Sequence, residues 1–376
     1  MTEENKLTVL QLVPALESGG VERGTLEVAQ ALIEHGHRAL VISAGGRLVA
    51  PLLASGAEHF AWPIGDKKFK TLLLVGRLRK FLQARKVDIL HARSRVPAWI
   101  AWLAWRGMNP ATRPHFVTTV HGMYGVNRYS RIMTQGERVI AVSNTVRDYI
   151  LREYPDTPPW RIQVIHRGVD GQAYPHGWKP DPAWRQAFYA QFPDAAGKQI
   201  LTLPGRITRL KGHEDFIELI ARLKRRDLPV HGLIVGGASA SKQRYLHKLR
   251  YRVRSMGLAA DISFTGQRDD LKNILAISNL VLSLSTQPES FGRTTLEALR
   301  LGVPTAGYDH GGVGEILRTI YPAGLLPLDC LDETCRRIAQ LVKDPEPVPA
   351  GEFFPLQAML DQTLALYAQL VRTPRR

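Results

Sequence analysis

The stretch Leu280–Leu299, LVLSLSTQPESFGRTTLEAL, decides the fold. Its opening, Leu280–Leu284 (LVLSL), is an almost continuous apolar run and reads as a buried parallel strand. A helical pattern begins at about Phe291, and Pro288 and Gly292 mark a turn between the two. A strand feeding a helix N-terminus leaves backbone N–H groups free to face a ligand, and the helix dipole favours an anion there. Glu289 and Glu297 flank that position with seven residues between them. Carboxylates are poor phosphate ligands, so the pair reads as acceptors for hydroxyl groups, as on a sugar and a ribose. The plainer alternative is one Glu complementing the helix dipole and a second on a solvated face. Residue types alone leave both open.

The same strand-to-helix unit recurs on either side. Leu7–Val13 is an apolar strand, followed by a loop with Ser18-Gly19-Gly20 and a helix from about Val21 to His35. Arg38–Ser43, Glu58–Trp62, Asp88–His91, Phe116–Val120, Arg138–Val142 and Ile162–Ile165 read as further strands, with helical stretches between most of them. Tyr174–Pro182, rich in Pro, Gly and His, reads as a linker. A second series follows, with strands at Ile200–Leu203, Val230–Val235, Asp261–Phe264, Leu280–Leu284 and Pro304–Gly307. Its helices fit Gly212–Arg225, Ala240–Met256, Leu271–Ala276 and Phe291–Leu301. Buried strands alternating with amphipathic helices predict parallel sheets covered on both faces. The expected division is a first domain over residues 1–175, a second over 176–350, and a C-terminal helix in 351–376 packing back on the first. Two doubly wound domains would present their strand ends, and so their ligands, to a shared cleft.

Composition narrows the class. At 376 residues, with 44% hydrophobic and 22% charged residues, the chain is an ordinary globular sequence of two-domain length. The polar start, MTEENK, does not read as a secretory signal, and no segment reaches the ~20 apolar residues of a membrane span. Cys330 and Cys335 match no metal or redox spacing, and a cytoplasmic location is the simplest expectation. The net charge of +16 is the unusual number. Asp66–Arg106 holds eleven Lys or Arg against two Asp, and Lys242–Arg254 holds six basic residues and no acidic one. Such excess implies an anionic partner. Nucleic acid is disfavoured, because no zinc-finger spacing or RNP-like motif is present.

Three loops carry residues suited to anions and hydroxyls. Gly205-Arg206 and Lys211-Gly212 leave the first strand of the second domain, where glycine admits close approach and Arg and Lys suit a diphosphate. This is neither GxxxxGK[ST] nor GxGxxG. Gly19-Gly20 holds the equivalent place in the first domain, and His121-Gly122 follows the strand Phe116–Val120. Each also has a plain reading, as a solvated Arg/Lys pair, a strand–helix turn and a structural histidine. No HExxH, Cys/His cluster, DxD pair or serine nucleophile elbow appears, so no protein-bound metal is indicated.

Gly205-Arg206 with Lys211-Gly212, Glu289-Ser290-Phe291-Gly292 with Glu297, and Gly311-Gly312 with Glu315 together resemble glycosyltransferase family 4. Gly19-Gly20, Val120-His121-Gly122, Val142-Ser143-Asn144 and Gly168-Val169-Asp170 fall in family order, so the resemblance covers nearly the whole chain. It implies the GT-B fold, two Rossmann-like doubly wound domains, and a retaining enzyme using a nucleotide-diphosphate sugar, UDP- or GDP-linked, with no permanently bound cofactor. It implies that Arg206 and Lys211 hold the diphosphate and stabilise the leaving group. Glu289 would contact donor hydroxyls, and Ser290, Phe291, Gly292, Arg293 and Thr294 would meet sugar or phosphate. Glu297 would take the ribose, and Gly266, Arg268 and Asp270 would line the base. His121 would lie beside the donor sugar, and Gly19, Gly20, Gly122 and Arg167 would face phosphate and acceptor. Where the family often has Pro-Asn before Gly168, this chain has His166-Arg167.

Retention would proceed by front-face displacement, the leaving phosphate helping to deprotonate the acceptor hydroxyl. The block from Lys67 to Lys86, with Phe69, Leu72, Leu73, Phe81 and Leu82, reads either as a basic amphipathic helix for an anionic bilayer or as a core-packed helix with a solvated face. Trp99, Trp102 and Trp105 extend that surface or fill the core. The expected acceptor is a lipid-linked glycan or other glycan of the cell envelope, such as lipopolysaccharide. The enzyme would then sit peripherally on the inner face of the cytoplasmic membrane. A nucleotide-sugar epimerase of the same fold and a non-catalytic anion or nucleic-acid binder are the competing readings.

Overall fold

Thirteen strands, all paired in parallel, form two sheets in the computed structural model, which describes residues 6–17 and 19–373. The polar start before Lys6, and Ser18 of the first glycine loop, lie outside the described residues.

The first unit comprises Met1–Arg167 and Gln357–Arg376. Its elements run β1 (Thr8–Leu12), α1 (Gly20–Glu34), β2 (Arg38–Ser43), α2 (Val49–Ala54), β3 (Glu58–Ala61), α3 (Leu74–Ala84), β4 (Ile89–Ala92), α4 (Arg95–Arg106), β5 (His115–Val120), β6 (Arg138–Ala141), α5 (Asn144–Glu153) and β7 (Ile162–Val164). The sheet order is β3-β2-β1-β4-β5-β6-β7. Central strands are buried on both faces (Val9, Leu10 and Leu12 of β1 are fully inaccessible), which is why they read as continuous apolar runs.

The second unit is Gly168–Leu356. It holds α6 (Pro182–Gln191), β8 (Gln199–Pro204), α7 (His213–Lys224), β9 (Val230–Val235), α8 (Gln243–Ser255), β10 (Ile262–Gly266), α9 (Leu271–Ile277), β11 (Leu280–Ser283), α10 (Arg293–Arg300), β12 (Thr305–Tyr308), α11 (Gly311–Ile320), β13 (Leu325–Leu326) and α12 (Leu331–Lys343). Its sheet order is β10-β9-β8-β11-β12-β13. The last helix, α13 (Leu356–Arg372), lies from Gln357 onward in the first unit. There Met359, Leu360, Leu366, Tyr367 and Leu370 are buried.

Several expectations are corrected. The first unit ends at Arg167, ahead of residue 175. Tyr174–Pro182 is not a free linker, because Tyr174 and Trp178 pack on the core cluster of Leu275, Val281, Ala298, Leu301 and Val303. The helix placed from Phe291 starts at Arg293, since Gly292 is left-handed at φ 100° and caps it. Gly212 (φ 69°) likewise precedes α7 rather than opening it. The run Ala240–Met256 is a 3-10 turn, Ala240–Lys242, followed by α8. The basic block around Lys67 is a 3-10 turn, Phe69–Leu73, followed by the eleven-residue α3.

In each sheet the strand order reverses beside the first strand, between β1 and β4 and between β8 and β11. Open parallel sheets bind ligands at the carboxyl ends of strands at such a point.

Candidate active site

In the second unit the strand order reverses at the loops after β8 and β11. β8 ends at Pro204 and is followed by Gly205 (φ 144°), whose Cα faces the aliphatic stem of Lys211. Lys211 Nζ donates to Glu289 Oε1 at 2.8 Å. Ser285 Oγ donates to the same oxygen, and Ser283 Oγ approaches it at 3.5 Å. Burial alone would raise the Glu289 carboxyl, but the Lys211 charge and these hydrogen bonds hold it below its ordinary value. Arg206, next to Gly205, is exposed and has no ion-pair partner among the described residues. One cation of the pair is thus engaged by Glu289, while the other faces solvent.

The β11 loop is clamped from behind. Gly312 N donates to Glu289 O at 2.7 Å, and His310 Nε2 bonds Ser285 O at 2.7 Å. A Cβ on Gly311 would stand 2.7 Å from the backbone N of Glu289, and one on Gly312 would overlap Phe291 Cα. Both glycines are required by this approach. Gly292 then caps α10 with no side-chain hydrogen bond, so the first N–H groups of that helix have no side-chain cap. By contrast, α5 is capped by Ser143 and α6 by Asp181. Ser290, Arg293 and Thr294 are partly exposed around this N-terminus, whereas Phe291 is buried with its ring edge-on to Phe354. Glu297 is only 3% exposed, and its Oε1 accepts from Arg293 Nε at 3.2 Å.

At the end of β10, Gly266 is left-handed (φ 73°). Arg268 and Asp270 are joined by bonds of 2.8 and 2.6 Å, and Asp270 also accepts from Trp184 Nε1 at 2.8 Å. Burial pushes the Asp270 carboxyl up, and the Arg268 and Trp184 hydrogen bonds outweigh it, so the group stays below the usual range. The second unit therefore brings Gly205, Lys211 and Glu289 together, with Arg206 beside them, while Arg268–Asp270 follow β10, two strands from β8.

In the first unit, Gly19 is the N-cap of α1 and Gly20 its first residue, again with no side-chain cap. Arg167 is 7% exposed and donates to the Gly20 carbonyl. His121 follows β5, partly exposed as a residue, but with Nε2 shielded and without a partner among the described residues. Burial, then the charges of Arg167 and Arg93, hold its pKa well below the ordinary value, so the ring is neutral at neutral pH. Gly122 lies against the Tyr124 ring.

Several polar residues here have no simple sequence signature. His91 is fully buried, with Nδ1 2.6 Å from Tyr367 Oη and Nε2 2.6 Å from Thr119 Oγ1. Arg93, at 3% exposure, lies beside Tyr367 and lowers the His121 pKa. Ser283, Ser285 and His310 belong to the same category in the second unit. The alternation Ser283–Leu284–Ser285 puts both hydroxyls on one side of the strand end, the one signal available.

The comparisons agree with this geometry. Residues 18–172 match the family model Glycosyltransferase Family 4, and residues 185–349 match Glycosyl transferases group 1. The N-acetyl-alpha-D-glucosaminyl L-malate synthase of Bacillus anthracis is 26% identical over 355 residues, covering 89% of this chain and 86% of that protein. A glycosyltransferase crystal structure from Rickettsia africae ESF-5 superposes with a TM-score of 0.82 at 28% identity, covering 98% of this chain and 100% of the other. Anabaena HepE in complex with UDP and glucose superposes at 0.80 with 20% identity, covering 96% and 100%. The chain belongs to glycosyltransferase family 4, has the GT-B fold, and is a glycosyltransferase.

Proposed function

We propose that this enzyme is a retaining hexosyltransferase that takes its sugar from a UDP- or GDP-linked donor and delivers it to a hydroxyl of a lipid-linked or envelope glycan, as in lipopolysaccharide synthesis. The observation that carries the reading is the Lys211–Glu289 pair at the strand-order reversal of the second sheet, beside an exposed Arg206 and the uncapped start of α10. Arg206, Lys211 and the α10 N–H groups supply positive charge for a diphosphate, which gains charge as the glycosidic bond breaks. Glu289, held ionised, accepts sugar hydroxyls. It also keeps Lys211 in place before the donor arrives. Glu297 would serve the ribose by exchanging Arg293 for hydroxyls. Gly266, Arg268 and Asp270 would frame the base, their charges already cancelled so that the backbone does the reading. HepE, which shares the fold, binds UDP and glucose, and this supports the donor class.

In the first unit, the neutral His121 ring can accept or donate a hydrogen bond to a sugar hydroxyl without adding charge. Nothing lies within 4 Å of a Cβ placed on Gly20. Internal packing does not demand glycine there, which supports approach by an acceptor or phosphate.

The membrane part of the proposal rests on the turn before α3. Phe69 is 88% and Leu73 78% exposed, flanked by Lys67, Lys68 and Lys70. Arg77 and Arg85 are engaged internally, over Trp62 and with Glu58. The candidate bilayer contact is thus the turn rather than the helix face. No helix among the described residues is long and apolar enough to cross a membrane.

Thermal denaturation with a panel of nucleoside diphosphates and their sugars tests the donor. A ligand at 100 times its Kd stabilises by ~2.7 kcal/mol. NMR of the product anomeric proton tests retention. No shift with any UDP or GDP ligand, or an inverted product, defeats the proposal.

A further inference from the structure

The amino-terminal edge of the first sheet, opposite the strand ends that carry Gly19 and His121, contains a cleft of about 660 Å³. It lies where β5, β6 and β7 begin, and Leu370 and Thr373 of the C-terminal segment close one side. That volume suits a small organic ligand rather than a bare ion.

Its chemistry is specific. His115 is 2% exposed; its Nδ1 stands 3.4 Å from Glu137 Oε2, while Nε2 lies buried without a partner among the described residues. Arg161 Nε is likewise shielded and unpartnered. Buried polar atoms are nearly always satisfied, so two orphans lining one cleft point to a ligand that completes them. Trp160, 61% exposed, presents a broad ring with the Arg138 and Arg161 guanidinium carbons each 5.3 Å from its centroid. Arg113 lies over Trp105 at 3.5 Å. Arg113, Arg138 and Arg161 therefore line one cleft with a single carboxylate, Glu137, on which Arg113 acts electrostatically. That carboxylate is ionised, since the hydrogen bonds of His115 and of Phe116 N–H (2.7 Å) overcome the effect of burial.

We propose that this cleft is a second binding site, for a sugar ring bearing a phosphate or carboxylate. The acid pairs with the guanidiniums of Arg138 and Arg161, whose forked N–H groups match paired oxygens of a carboxylate or a phosphate. The ring lies against Trp160, whose apolar face suits the C–H surface of a pyranose. The Glu137 carboxylate repels the acid from the floor, which leaves His115 Nε2 and Glu137 for hydroxyls. A hydroxyl is donor and acceptor at once and serves both, which favours a polyol ring over a flat base. The site is independent of the donor reading, because it uses none of its residues.

Isothermal titration calorimetry tests this with glucose 6-phosphate and glucuronate as probes, and glucose, inorganic phosphate and UMP as comparators. The expected result is binding of at least one acid sugar at least tenfold tighter than glucose or phosphate, which Arg206→Ala leaves unchanged. Trp160→Ala and Arg161→Gln each weaken it about tenfold or more, with Tm unaltered. If one of them lowers Tm, Arg138→Gln is the substitute and the same loss is expected. Phosphate binding as tightly as both acid sugars, UMP binding tighter than both, or acid-sugar affinity indifferent to Trp160 would each overturn the proposal. The phosphate and carboxylate arms then say which acid the site prefers.

Discussion

The two units carry polar machinery in opposite conditions. In the second, opposite charges meet in pairs: Lys211 with Glu289 and Arg268 with Asp270 partly buried, Arg293 with Glu297 more deeply enclosed. In the first, the corresponding strand ends hold histidines kept neutral by burial, among arginines that are themselves inaccessible. A partly solvated pair such as Lys211–Glu289 can change partners when a charged ligand arrives, as a site for a multiply charged diphosphate requires. Buried neutral groups hold one geometry and report on shape and hydrogen bonding.

The largest effect expected from this contrast is kinetic. Lys211→Ala should lower kcat by roughly 10²–10³-fold, the cost of losing one transition-state donor. Steady-state kinetics with saturating donor would read it, and near-normal turnover would mean that Glu289 only parks the lysine.

Acid should separate the units next. His213 in the second unit has its pKa lowered to about 4, chiefly by burial, and His91 and His121 in the first are held well below the ordinary value. Below pH ~6.5 the unfolded chain binds protons that the folded chain refuses, so stability falls as pH drops from ~6.5 toward the folded values. For His213 the loss is about 3 kcal/mol across pH 6.5 to 4. The first unit, where His37 and His59 are lowered as well as His91 and His121, should lose more than the second, where His213 is joined by His231. Hydrogen exchange at pH 7 and pH 4.5 would show protection falling further in β4 and β5 than in α7. An equal fall in both would erase the distinction.

The smallest effect is local. Tyr367→Phe removes the hydroxyl beside His91 Nδ1 and Arg93, leaving buried groups unmatched at about 1–3 kcal/mol. Urea denaturation would measure it; a change under 0.5 kcal/mol would mean that the network is slack.

Much of the fold was legible because parallel strands buried on both faces are written as apolar runs. Thr8–Leu12 and Val230–Val235 needed nothing more. Helix starts were less so. Phe291 looks like the first residue of an amphipathic pattern, yet Gly292 adopts a left-handed conformation, and a Cβ there would stand 2.7 Å from Val313 of α11. The basic segment reads as one helix but is a 3-10 turn followed by a helix, and the turn leaves Phe69 and Leu73 exposed. The loops of the candidate donor site were marked by Gly, Arg, Lys and Glu. Ser283, Ser285 and His310 were not, because their importance lies in which oxygen they reach across a loop. The excess charge of α8 has part of its answer in Glu214 and Glu218 of α7, 3.2–3.9 Å from Lys248 and Arg252, a pairing invisible along one helix.

The clamp of Gly311 and Gly312 on the Glu289 backbone has a consequence for how such enzymes diversify. With no room for even a methyl group, the two loops cannot drift separately. A change that retunes one for a different sugar must be answered in the other, so new specificities should arise through coordinated replacements there.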